Sequence, residues 1–131
     1  MSMIEVNTAE LSGSALDWAV AKAQGYCEGQ DAYCDPAWMN GDKFIQTRRK
    51  YRPSTDWSQG GPLIEKNEIT IYPPRHMVRA AEGWGAQFYI VNSQKIIRGQ
   101  TPLIAACRAI VAAKLGETVS VPDELVETKN D

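Results

Sequence analysis

Between Gly13 and Gln24, apolar side chains recur at Leu16, Ala19, Val20 and Ala23. Spacings of three and four place them on one stripe of an amphipathic helix. Ser12 stands where an N-cap belongs, and Gly25 where a left-handed residue ends a helix. A second helix is signalled by Thr101 as N-cap, Pro102 at the first helical position, the good helix formers of LIAACRAIVAAKL, and Gly116 after the last turn. Only Arg108 and Lys114 are charged along it, so this helix is expected to touch protein on more than one side, either as the centre of the fold or at a subunit interface. Between the two helices the period shortens toward two. FIQTRRKYR at 44–52, EITIY at 68–72 and AQFYIVN at 86–92 read as strands, with Arg48, Lys50 and Arg52 on one side of the first and Arg49 and Tyr51 on the other.

The expected fold is α+β. It is a single domain over residues 1–131, with a small antiparallel sheet of three to four strands and two helices, in the order helix, strands, helix, packed on one face. Residues 26–43 lack a period and read as an irregular loop or an extra hairpin. ETVSVPDEL offers one short strand or turn, and residues 126–131 form a charged tail expected to fray. No internal repeat or linker divides the chain.

Composition changes this picture little. At 131 residues, 44% hydrophobic, 23% charged and with a net charge of −2, the chain is of ordinary globular type, and its mildly acidic balance disfavours nonspecific binding to phosphate backbones. No apolar run approaches the roughly 18 residues of a membrane span, and MSMIEVNTAE lacks the pattern of a signal peptide. Cytoplasmic residence is expected. Cys27, Cys34 and Cys107 are odd in number, fit no zinc spacing, and lie far in sequence from the one histidine, His76. Neither a metal nor another cofactor is expected.

The most unusual stretch is YRPSTDWSQGGP, residues 51–62. Ser54 or Thr55 can start a helical turn through Asp56, Trp57 and Ser58, after which Gly60 and Gly61 permit positive φ and Pro62 stops the helix. Such a turn, from Ser54 through Gln59 to Gly61, would expose hydroxyls and amides able to cradle an anion. Tyr51, Trp57 and Trp84 offer faces for stacking a planar ring, and Arg48, Arg49 and Arg52 supply cations. The plainer alternatives stay open: Trp57 as a core plug, the glycines as simple turn residues, and TRRKYR as a solvated strand face.

YRPSTDWSQGGPLIEK, together with ELSGSALDWAVAKAQG and TPLIAACRAIVAAKLGETVSVPDEL, resembles the NinX-like family of small accessory proteins of tailed bacteriophages. The three blocks keep the family's order and cover about half the chain, whereas residues 26–43 and 73–98 look less like it. The resemblance implies accessory work in the cytoplasm of an infected bacterium and brings no agreed catalytic motif. In that context the ingredients of residues 48–61 and Trp84 point to a ligand site. The expected function is to bind and sequester, without cleaving it, a nucleotide-derived immune signal such as a cyclic nucleotide or ADP-ribose derivative.

Three rivals stand beside this. One is a protein-binding inhibitor of a host factor. Another is a double-stranded-nucleic-acid-binding module, which the element order allows but the cation-free start of the second helix, TPLIAA, disfavours. The third is a hydrolase of the same signals using Asp56 or Glu65 with His76, for which no partnered acid–base pair is visible. A homodimer is expected from the sparsely charged second helix, where Ala105, Ala109 and Ala112 permit close approach.

Overall fold

The computed structural model describes residues 2–74, 83–88 and 96–126. Its organising element is the second of the expected helices, Pro102–Leu115, which becomes α3 once the chain is followed from its start: β1 (Met3–Asn7), α1 (Gly13–Ala23), β2 (Cys27–Gln30), β3 (Pro36–Asn40), β4 (Lys43–Thr47), α2 (Trp57–Lys66), β5 (Ile69–Tyr72), β6 (Trp84–Phe88), β7 (Ile97–Gly99), α3, and β8 (Thr118–Pro122). The Thr101 hydroxyl accepts the Ile104 amide at 3.1 Å, as an N-cap should, and Gly116 ends the helix with φ +107°. Two apolar clusters lie against α3. Cys107 and Val111, one turn apart, join Leu16, Val20, Trp18, Trp38, Tyr51 and Val121 in the first. Ala105, Ala106, Ala109 and Ile110 join Ile69 and Ala86 in the second. Burial on both sides explains why so few charges fit along this helix. Ala105 and Ala109 are enclosed within the chain, so they are not available to a second subunit.

In α1, Ser12 has the extended backbone of an N-cap but makes no side-chain cap hydrogen bond. The other end is a Schellman turn. Gly25 at φ +85° donates to the Lys22 carbonyl at 3.0 Å, and Tyr26 donates to that of Ala21 at 3.0 Å.

The class is α+β as expected, but among the described residues the strands divide among three small antiparallel sheets and the α-helices number three. β1 pairs with β8, with Ile4 opposite Val121, and so joins the two ends of the described chain. β2, β3 and β4 form the second sheet, with a bulge between Trp38 and Met39; β2 and β3 pair within residues 26–43, the stretch left open in sequence as an irregular loop or an extra hairpin. β5, β6 and β7 form the third. The strand anticipated at 86–92 begins earlier, at Trp84, and its residues 89–92 lie outside the described residues, as do 127–131 of the anticipated tail.

Two expectations fail in the middle of the chain. The strand expected over 44–52 stops at Thr47, because the amides of Lys50 and Tyr51 turn back to the Thr47 carbonyl at 3.1 and 3.0 Å. Strand alternation therefore does not set the faces of Arg48 to Arg52. The turn expected to end at Gly60–Pro62 instead runs through all three residues as α2. Pro62 removes one helical bond, to the Ser58 carbonyl, on an exposed residue where water can replace it. Neither Gly60 nor Gly61 takes a positive φ.

Candidate functional site

The segment from Thr47 to Gly60 is held by polar contacts at nearly every residue. Arg48 donates its amide to the Pro36 carbonyl at 2.9 Å, continuing the β3–β4 pairing for one step before the chain turns. The Arg52 guanidinium Nε donates to the Arg49 carbonyl at 2.9 Å, closing a tight loop on itself. Gln59 reaches back from α2: its Oε1 accepts the Arg52 amide at 2.7 Å and its Nε2 donates to the Lys50 carbonyl at 2.8 Å. Asp56 caps α2, accepting from the Ser58 amide at 2.9 Å and the Ser58 hydroxyl at 2.6 Å, and these bonds hold its carboxyl below the usual range. Ser54 ties the loop to α1 by donating its amide to Asp17 Oδ1 at 2.9 Å.

Gly60 is needed for contact rather than for its own backbone freedom. A Cβ there would stand 2.3 Å from the Pro53 carbonyl oxygen and 2.6 Å from Leu103 Cδ2. Its bare backbone lets α2 lie against both the loop and α3. Gly61 is under no such constraint from packed neighbours, since beyond its chain neighbours a Cβ would meet only Trp57, at 3.9 Å.

What this scaffold shapes is a cleft of about 440 Å³ between the loop, α1 and β3. Arg48, Arg49 and Arg52 line it together with Tyr51, Trp18 and Trp38. Trp18 and Trp38 meet edge to face with centroids 6.2 Å apart, Tyr51 meets Tyr26 in the same way at 6.1 Å, and Lys22 Nζ lies 5.6 Å from the centre of the Trp18 ring. Among the described residues, Arg49 and Arg52 make no ion pair, and Arg48 pairs with Glu28 at 3.3 Å while its Nη2 stays buried without a partner. The Trp18 indole nitrogen and the Ser54 hydroxyl are also buried and unbonded. Orphaned donors of this kind are uncommon in folded proteins, and three of them gather around this one cleft.

Asp17 also lines the cleft and is 8% exposed. Burial pushes its carboxyl above the usual value, opposed by Ser54 and by the charge of Arg52. The Ser54 hydroxyl lies close enough to favour the carboxylate without the geometry of a hydrogen bond, so the amide is the contact that fixes Asp17.

The residues anticipated as binding thus separate. Arg48, Arg49, Tyr51 and Arg52 come together at the cleft. Ser54 is buried behind it, and Thr55, Asp56, Trp57, Ser58, Gln59, Gly60 and Gly61 do not line it. The turn from Ser54 to Gly61 does not offer a cradle of free amides either. Those of Thr55 and Asp56 go to the Arg52 carbonyl, those of Gln59 and Gly60 to the Asp56 carbonyl, and those of Ser54 and Ser58 to carboxylates. Trp57 is 57% exposed at the start of α2, so it is not a core plug. Trp84 sits on β6 against the second apolar cluster. His76 lies outside the described residues, and no group of three potential metal ligands occurs among the described residues.

Sequence reasoning passed over Asp17, Trp18 and Trp38. The first had a usable signal: an acidic residue in the helix stretch ALDWAVA, otherwise apolar throughout, is either partnered or functional. Trp38 had none, because it lies in the segment where no periodicity was visible.

A second cleft, of about 570 Å³, lies where Thr8–Glu10, β7 and α3 meet. It is wider, but Arg108 there serves the fold, donating Nε to the Leu11 carbonyl at 2.8 Å and Nη1 to that of Arg98 at 2.9 Å. Among the described residues no helix is long and apolar enough to cross a membrane.

No curated protein matches the chain. The family model described as bacteriophage P22, NinX, matches residues 7–114, a span that includes α1, the 47–56 loop, α2 and the three cleft arginines: the chain belongs to the NinX family of bacteriophage proteins.

Proposed function

We propose that the protein binds a nucleotide-derived small molecule in the cleft beneath Arg48, Arg49 and Arg52, and that in an infected bacterium it withholds such a signal from host defence. The observation that carries this is the pairing of three arginines with three aromatic rings on one cleft of about 440 Å³, a volume in the range of small-molecule sites. Arginine forks match phosphate oxygens, and the buried rings of Trp18, Trp38 and Tyr51 give the cleft an apolar wall against which a base can pack. Sequestration rather than turnover is favoured by how the anticipated catalytic groups are used: Asp56 is committed to capping α2, and Glu65 lies exposed on that helix.

The test is to incubate the purified protein with cyclic mono-, di- and trinucleotides and ADP-ribose derivatives, remove unbound material, heat-denature, and analyse what is released. Recovery of an intact nucleotide is expected, and it should be lost in Arg48→Ala together with Arg52→Ala. Recovery of a cleaved product, or of nothing from the whole panel, overturns the reading.

Trp57 favours one second reading, a protein-binding inhibitor of a host factor, because an indole 57% exposed on a helix is the type of side chain that anchors protein interfaces. On that reading Trp57→Ala abolishes activity in infected cells while nucleotide capture is unchanged.

A further inference from the structure

Asp17 is the one charged side chain that is buried among the described residues, and it is costly where it stands. Burial raises its pKa, and no cation lies within ion-pair distance of it among the described residues. Its structural duty is to accept one amide, that of Ser54, at 2.9 Å. An asparagine would accept that bond equally well without burying a charge. The fold therefore does not need the negative charge, and the cleft onto which Asp17 opens is the place where the charge has a use.

Resting on the reading that this cleft takes a nucleotide, we propose that Asp17 selects a guanine base. A carboxylate is planar, accepts only, and has about four lone-pair positions, of which the Ser54 amide uses one. It is matched by a ligand edge carrying two adjacent N–H donors. Guanine presents N1–H beside its N2 amino group. Adenine and cytosine each present one amino group beside a bare ring nitrogen, whose lone pair would face the carboxylate, and uracil presents one N–H flanked by two carbonyls. Asp35 and Glu124 also line the cleft, so its charge is mixed; a guanidinium-bearing ligand has the right donors for Asp17 but brings no anion to Arg49 and Arg52, which make no ion pair among the described residues, whereas a guanine nucleotide brings its phosphates. The rings of Trp18, Trp38 and Tyr51, all buried, wall the same cleft and offer a purine an apolar surface to pack against.

The experiment is calorimetric titration of the full chain with GDP, IDP, XDP and ADP, which share ribose and diphosphate and differ only in the base edge. GDP should bind about 5- to 150-fold more tightly than ADP, the range for one good bidentate pair, with IDP, lacking the amino group, in between. In Asp17→Asn the preference should pass from GDP to XDP, because the amide can donate to the C2 carbonyl of xanthine while still accepting from N1–H. Equal affinities for the four, or a preference for ADP, overturns the guanine assignment while leaving the nucleotide cleft intact. Failure of all four to bind overturns both. An Asp17→Asn protein that melts cooperatively and still prefers GDP shows that the carboxylate does not read the base.

Discussion

α3 and α2 are both helices of this chain, yet one could be read from the sequence residue by residue and the other was mistaken for a turn. In α3 every local signal agrees: Thr101 caps, Pro102 starts, Gly116 stops, and the residues between are strong helix formers. In α2 the local signals are contrary, with Gly60, Gly61 and Pro62 in succession. It forms because tertiary contacts outweigh propensity: Gly60 fits against the Pro53 carbonyl and Leu103, Asp56 caps, and Gln59 clips the preceding loop. The lesson is that a helix whose sequence resists it is being kept for what it positions. Here α2 and its loop set three arginines over a cleft.

The comparison can be broken most sharply with tryptophan. Trp38 is 1% exposed in the first apolar cluster, and Trp57 is 57% exposed at the head of α2. Trp38→Ala should destabilise by about 3 to 5 kcal/mol in denaturant unfolding, and Trp57→Ala by about 0.5 kcal/mol or less. Equal losses would mean that α2 packs more deeply than its exposure shows.

Next in size is the glycine pair. Gly60→Ala should cost about 1 to 3 kcal/mol, since its Cβ meets backbone and a packed leucine, while Gly61→Ala should change stability by about 0.5 kcal/mol or less, because the helix propensity gained is offset by a Cβ standing before Pro62 in helical backbone. Chemical denaturation of both variants checks this, and a gain at Gly60 would contradict the close approach.

The smallest effect concerns Asp17. Its folded pKa lies above the unfolded one, so the folded state holds the proton more firmly. The contribution to stability is then greatest below the unfolded value, about 3.9, and declines as pH rises through the folded value. Asp17→Asn removes that decline. Its melting temperature should exceed that of the parent at pH 7, and the gap should narrow as pH falls toward about 4. A variant less stable than the parent at neutral pH would show that the charge serves the fold after all.

How far the sequence could be read follows the same division. Both flanking helices, the class, the strand at 69–72 and the possibility of a hairpin in 26–43 were legible because period and caps are local. β1 was not, because MIEVN pairs only with β8, more than a hundred residues away, and the three residues of β7 are too few to show a period. Of the site, the arginines and Tyr51 were legible as chemistry. Their meeting with Trp18, Trp38 and Asp17 was not, since it depends on where the chain turns after Thr47 and on a Ser54–Asp17 bond spanning 37 residues.

The central claim, that ligand sits in the cleft and not on the turn at residues 54–61, is tested most directly by nitrogen–proton correlation spectra of the four tryptophan indoles during titration with GDP. The signals of Trp18 and Trp38 should shift and saturate together while those of Trp57 and Trp84 stay in place. A shift confined to Trp57 would contradict the claim and return the binding site to the head of α2.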